Sequence, residues 1–373
     1  MELNKNNEQI DTQRNYNLDL IKAISIVLVL IWHLQPFDIS IPNITRFSVN
    51  IIFKEALNVL YFQVTLIAVP SFLIISQYIY FQKLKQYGYI YFFKRLAVLF
   101  YITIFWISAQ FLFYYLVIPL LSAGTITLPP PTNISDWLRL IMIGGPFKLN
   151  SNTNVGSSAF YYLTTLIALT IFSTLYAIAC RNKQLEKFIS ILIISMSLIY
   201  FQQHSFKEGV ITYSRIENFI IYIPIAHLVN SYRDRLRYTA NYVLWAGYFL
   251  FCFQDVYLRT SGFQFNIYGR VSIVFGATAL ICSLINKKNT TEAPSVRFLS
   301  SHSLGIFALH LYIQYFMTLY LMPIFSLYYI RRKMPFWEFR INFQVLSIGL
   351  LTVLVTFICV YILGKTPLRK FVK

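Results

Sequence analysis

The sequence predicts an all-α, polytopic membrane protein with about ten transmembrane helices and both termini in the cytoplasm. Of its 373 residues 57% are hydrophobic and 12% are charged, whereas soluble domains carry about 25% charged residues. The apolar residues fall into runs near the ~20 residues that cross a ~30 Å hydrocarbon core. The formal charge of +18 comes from short basic clusters between these runs. We therefore expect a lipid bilayer, and no nucleic acid, as the partner of this surface.

The apolar runs define the expected elements in order. We place the ten spans at residues 17–36, 57–81, 96–121, 159–180, 188–203, 217–230, 238–258, 270–286, 303–327 and 341–363. Residues 1–16 form a polar cytoplasmic segment that does not resemble a cleaved signal peptide. We treat residues 17–373 as one transmembrane domain, because the segments between spans are too short for a further soluble domain.

The placement of basic residues predicts the orientation of the chain. With a cytoplasmic N-terminus, 19 of the 32 Lys and Arg fall in inner segments, and every inner segment is basic. This asymmetry follows the positive-inside rule and predicts a multi-pass protein of the inner (cytoplasmic) membrane. The triplet Arg331-Arg332-Lys333 is the exception, since this orientation places it outside.

Ionisable side chains inside the apolar spans indicate where chemistry takes place. In the first span Lys22 and His33 are eleven residues apart, so they share a helix face with about 16 Å between them. Asp19 lies on the same face. Charged groups are costly in hydrocarbon, and we expect this face to meet protein or a wet cavity.

A second histidine, His310, lies in the ninth span with Ser303 two turns before it on the same face. Neutral histidine accepts a proton near pH 7 and can therefore deprotonate an attacking hydroxyl group. Two other interpretations remain open for these histidines: an interhelical hydrogen-bonding role, and a proton relay in a transporter.

Four separated motifs, in order, resemble the acyltransferase 3 family of integral membrane acyltransferases. Lys22 and His33 match its Arg/Lys-x10-His signature, and residues 69–76 (VPSFLIIS) resemble its second-span motif. Residues 93–96 (FKRL) resemble the basic start of its third span, and residues 303–310 (SLGIFALH) resemble its "SLGIYLLH" motif. The resemblance spans the whole chain.

This resemblance implies transfer of an acyl group, most often acetyl, from acetyl-CoA or another acyl-CoA to a hydroxyl group of a glycan or lipid-linked sugar, without a metal. It implies His33 and His310 as catalytic residues and Lys22, Lys94 and Arg95 as ligands of the CoA phosphates. Lys94 and Arg95 can alternatively form a solvated basic face. The remaining site candidates are Asp19, Ser76 and Ser303.

The alternative function is a non-enzymatic polysaccharide exporter of a biofilm or capsule pathway, in which the outer Arg331-Arg332-Lys333 cluster would attract an anionic polymer. No internal repeat of the kind that accompanies alternating access is evident in the sequence. We therefore favour the enzyme. The sequence makes no prediction about oligomeric state.

Overall fold

The structure of the chain is a computed structural model. It describes residues 16–34, 61–121, 133–134, 137, 147–150, 153–155, 158–205, 215–233, 238–260, 267–285, 293–326 and 343–373. The polar segment before Tyr16 and the Arg331-Arg332-Lys333 triplet lie outside these residues.

Helices make up most of the described chain. They are α1 (Tyr16–Leu34), α2 (Ala68–Tyr87), α3 (Ile90–Leu112), α4 (Ser158–Ala179), α5 (Lys183–Ser205), α6 (Tyr222–Tyr232), α7 (Tyr238–Thr260), α8 (Val271–Ile285), α9 (Pro294–Ser301), α10 (Ser303–Ser326), α11 (Phe343–Leu363) and α12 (Arg369–Val372). A π-helical turn, Phe113–Val117, and a short helix, Ile118–Leu121, continue α3, and a 3-10 turn, Ile216–Asn218, precedes α6.

The described chain is predominantly helical, as predicted, with one short β-hairpin. The strands β1 (Phe147–Asn150) and β2 (Thr153–Val155) pair antiparallel, with Phe147 opposite Val155 and Lys148 opposite Asn154. They lie in the long connection between the third and fourth predicted spans. A short hairpin satisfies the hydrogen-bonding groups of its backbone locally.

Each of the ten predicted spans contains a helix. Among the described residues five segments are long and apolar enough to cross a membrane: Tyr16–His33, Tyr61–Tyr87, Ile90–Val117, Tyr161–Ala179 and Lys183–Gln203. Helix α6 has 11 residues and α8 has 15. At 1.5 Å per residue these two helices extend about 17 and 23 Å, less than a ~30 Å core. Ten crossings and the orientation of the termini therefore stay predictions.

The second span is the centre of the bundle. Of the apolar window in Tyr61–Tyr87, 78% is buried in the protein, against 22% in Ile90–Val117 and 11% in Lys183–Gln203. Helix α2 packs against α1, α4, α6 and α8. A central position excludes α2 from lipid, while the apolar side chains exposed on α3 and α5 suit contact with acyl chains.

Helices α2 and α3 extend beyond the predicted spans. Helix α2 continues to Tyr87 instead of residue 81, and α3 begins at Ile90 instead of residue 96. The extra turns carry lysines and tyrosines, which extend an apolar stem or ring into the membrane surface while their polar ends stay in water. Gly88, with φ of 66°, reverses the chain between the two helices.

The C-terminal helix α12 fixes the position of α10. A Cβ atom on Gly305 of α10 would lie 2.7 Å from the Cβ of Val372, so only glycine permits this approach. The Trp106 indole donates a hydrogen bond to the Phe371 carbonyl at 3.1 Å, and Phe105 stacks on the Phe371 ring at 3.7 Å. Helix α10 is therefore packed closely against α12.

Helices α7 and α8 also depend on a close approach through glycine. A Cβ atom on Gly247 would lie 2.6 Å from the Phe275 ring, and one on Gly276 would lie 2.7 Å from the Tyr248 ring. Small residues let transmembrane helices pack closely, because helix association in lipid relies on van der Waals contact.

This contact predicts the effect of a matched pair of substitutions. Gly247→Leu places a side chain into the Phe275 ring and should lower the thermal unfolding midpoint of the detergent-solubilised protein by several degrees. The neighbouring Ala246 is exposed, so Ala246→Leu should leave the midpoint unchanged. Equal midpoints for the two variants would contradict the close α7–α8 contact.

Candidate active site

The structure brings His33 and His310 together. His33 lies in the last turn of α1 and is partly buried, while His310 lies two turns after the start of α10 and is fully buried. Their ring centroids are 5.0 Å apart with an interplanar angle of 52°. Helices α1 and α10 pack against each other, and this packing places the two imidazoles side by side.

The hydrogen bond of His310 defines its tautomer. Its Nδ1 lies 2.9 Å from the carbonyl oxygen of Ile306, one turn earlier on α10. A carbonyl oxygen only accepts, so Nδ1 carries the proton and the neutral ring has its lone pair on Nε2. Within the described chain Nε2 has no hydrogen-bond partner. A buried, unused acceptor next to His33 can receive an N–H or a proton.

Asp19, Lys22 and Ser303 lie nearer the opposite end of the bundle. The Ser300 hydroxyl donates to the buried Asp19 carboxylate, which ties α1 to α9, the short helix before α10. Lys22 is partly buried one turn further along α1. Ser303 begins α10, about 10 Å before His310 along the helix axis. Asp19 thus has a structural contact, and neither Asp19 nor Ser303 lies beside the histidines.

Arg95 is fixed by several contacts. Its Nη1 and Nη2 donate to the backbone oxygen and hydroxyl of Ser76 at 3.0 and 2.7 Å, and Nε donates to the Thr170 hydroxyl at 3.2 Å. Its guanidinium also lies 4.8 Å from the centroid of the Tyr80 ring. The neighbouring Lys94 side chain is exposed. The two predicted CoA ligands therefore differ: the Arg95 side chain is fixed by hydrogen bonds to Ser76, another site candidate, whereas the Lys94 side chain is exposed.

Arg95 is remote from the two histidines. The hydroxyl of Tyr61 reaches the last turn of α1, and Ser76 lies fifteen residues after Tyr61 along the second span. This separation is about 22 Å along a helix axis. Arg95 and His33 therefore lie in different halves of the bundle.

A polar cavity opens at the Lys94 end of the bundle, between α2, α4 and α6. It has a volume of about 740 Å³ and its polar lining includes Gln82, Lys85, Gln86, His227, Asn230 and Ser231. The Nδ1 of His227 lies 3.3 Å from a Glu186 carboxylate oxygen. Cavities of this size accommodate ligands of cofactor size. The sequence analysis did not predict this cavity.

Sequence reasoning also missed a buried polar cluster formed by Gln63, Asp255, Arg270 and Ser272. The Oδ2 atom of Asp255 accepts from Gln63 Nε2 at 2.7 Å and from the Ser272 hydroxyl, and Arg270 Nη1 lies 3.4 Å away. All four side chains are buried. The available signal was Asp255 itself, a carboxylate inside an apolar span. Because Gln63 follows Tyr61 closely, the cluster lies at the His33 end of the bundle.

The described chain is an apolar helical bundle of the kind found in membranes, and the partly buried His33 beside the buried His310 gives it a pair of groups suited to acid–base chemistry. The model of the acyltransferase 3 family, described as an acyltransferase domain, matches residues 15–364, and the chain belongs to this family. The sequence-based resemblance is thereby confirmed, and the protein is a membrane acyltransferase. No curated protein and no solved structure matches the chain.

The buried cluster predicts a stability effect with a non-additive pattern. Asp255→Asn removes the carboxylate beside the Arg270 guanidinium, and breaking one side of a buried ion pair costs about 3–5 kcal/mol. The thermal unfolding midpoint in detergent should fall clearly. The double variant Asp255→Asn/Arg270→Gln removes both charges and should recover part of the loss. A double variant less stable than Asp255→Asn alone would contradict this coupling.

Proposed function

We propose that the protein transfers an acyl group, acetyl from acetyl-CoA, to hydroxyl groups of a cell-surface or lipid-linked polysaccharide. The observation that carries the proposal is the apposition of His33 and His310, with the Nε2 lone pair of His310 unused. An imidazole that can donate a hydrogen bond to a second imidazole is suited to general base catalysis, because this bond defines both the orientation and the protonation state of the first ring.

In this mechanism His33 is the base and His310 orients it. In the proposed reaction the His33 ring turns to donate one N–H to Nε2 of His310, which has no hydrogen-bond partner among the described residues, and this leaves the lone pair of its other ring nitrogen for the acceptor. That nitrogen takes the proton of the sugar hydroxyl as the hydroxyl oxygen bonds to the thioester carbonyl carbon. The carbon–sulfur bond then breaks, and the proton passes from His33 to the leaving thiolate of CoA.

The two substrates approach from opposite sides in this proposal. The positive-inside rule places Lys22, Lys94 and Arg95 toward the cytoplasm, where acyl-CoA is found, and His33 toward the outside, where the glycan is found. The exposed Lys94 and the partly buried Lys22 would attract the CoA phosphates. Arg95, already bonded to Ser76 and Thr170, would contribute a fixed positive charge. The polar cavity beside Lys85 offers space at the same end.

Loss of His33 tests the proposal directly. His33→Ala removes the base, so the rate of acyl transfer should fall by about 10²–10⁴-fold while the amount of protein in the membrane is unchanged. The measurement is the acyl content of surface glycan in a deletion strain complemented with each variant.

The matched control is His302→Gln, because His302 is a buried histidine bonded within its own turn, to Phe298 and Ser301. This variant should keep the acyl content. Full acylation by His33→Ala would overturn the catalytic assignment. Loss of secreted polymer from the deletion strain, instead of secretion of unacylated polymer, would favour the exporter.

A smaller effect is expected at His310. His310→Ala removes the group that orients His33 but leaves the base, so kcat of the purified protein should fall about 10- to 100-fold, less than in His33→Ala. The two losses should not add in the double variant, because His310 acts through His33. Additive losses would show that the two histidines act independently.

A further inference from the structure

The end of α1 is held by side chains from two other helices. The last four carbonyl groups of an α-helix have no partner within the helix, and in α1 these belong to residues 31–34. The Tyr61 hydroxyl shares its single proton between two of these carbonyls, the Ile31 oxygen at 3.1 Å and the Trp32 oxygen. Gln314 Nε2 donates to the His33 oxygen at 3.0 Å. Three of the four carbonyls are therefore bound from outside α1.

Gln314 and His310 act on the same residue from the same face of α10. They are four residues apart, so their side chains lie one above the other on the helix. The ring of His310 faces the ring of His33, and the amide of Gln314 holds the backbone of His33. A carbonyl oxygen only accepts, which fixes the amide nitrogen of Gln314 as the atom that contacts it.

Tyr61 holds α1 from the side of the second span. Its ring stacks on Trp32 with centroids 5.4 Å apart and an interplanar angle of 21°. Two residues later, Gln63 is bonded to Asp255 and to Ser272 in the buried polar cluster. The segment that carries Tyr61 is thus bonded to α7 and α8. The end of α1 therefore lies between this segment and Gln314 of α10.

We propose that Gln314 is a positioning residue for acyl transfer, which sets the height and rotation of His33 against His310, with Tyr61 as the support on the opposite side. This inference rests on the proposed function. Gln314 contacts the backbone of the base through its side-chain amide. Its contribution arises because a displacement of about 1 Å in a reacting group can cost 10²-fold in rate.

The test compares Gln314→Leu with Gln254→Leu in purified, reconstituted protein supplied with acetyl-CoA and the glycan acceptor. Gln314→Leu keeps the side-chain volume but removes the donor, so kcat should fall about 10- to 100-fold while KM for acetyl-CoA stays unchanged. Gln254 forms a reciprocal amide pair with Gln202 between α5 and α7. Gln254→Leu loses a comparable interhelical contact and should keep kcat within about twofold.

Tyr61→Phe supplies a second variant that keeps the ring and loses only the hydroxyl. It should lower kcat without changing KM, whereas Tyr161→Phe, which loses a buried hydroxyl bonded to Tyr268, should leave kcat unchanged.

An unchanged kcat in both Gln314→Leu and Tyr61→Phe, with active wild-type protein, would overturn the positioning role alone. An equal fall in kcat in the control variants would do the same. A wild-type protein that transfers no acyl group would refute the proposed function, and the positioning role with it.

Discussion

The described bundle depends on one constraint: hydrocarbon offers no hydrogen-bond partner, so each polar group at membrane depth needs one inside the protein. The carboxylate of Asp255 meets Gln63, Ser272 and Arg270. The guanidinium of Arg95 is bonded to Ser76 and Thr170. These contacts join helices that are distant in sequence.

The same constraint explains the geometry around the two histidines. The last carbonyls of α1 require donors, and Tyr61 and Gln314 provide them. A helix end fixed by such bonds holds its last side chain, the ring of His33, in a defined position. His310 is fixed in turn by its own bond to Ile306 and by the packing of α10 on α12. Its Nε2 has no hydrogen-bond partner among the described residues, and its place beside His33 makes this buried acceptor available to a reaction.

The sequence contains enough information to place the helices, because an apolar run of about 20 residues reflects the thickness of the bilayer. The family was recognisable from short motifs, which also singled out His33 and His310 as site candidates. The contacts of Arg95 and the cluster around Asp255 were not predictable. Gln63 and Asp255 are 192 residues apart, and only tertiary packing brings such pairs together. Gln314 and Tyr61 carry no sequence signal, since a single amide or phenol within an apolar span does not indicate which group it bonds to.

The most direct test of the account is an experimental structure of the protein with a non-transferable acetyl-CoA analogue bound. The account predicts the CoA phosphates near Lys22 and Lys94, and the carbonyl carbon of the analogue beside the ring of His33, with His33 hydrogen-bonded to Nε2 of His310. A carbonyl carbon bound in the other half of the bundle, near Arg95 and out of reach of His33, would contradict it.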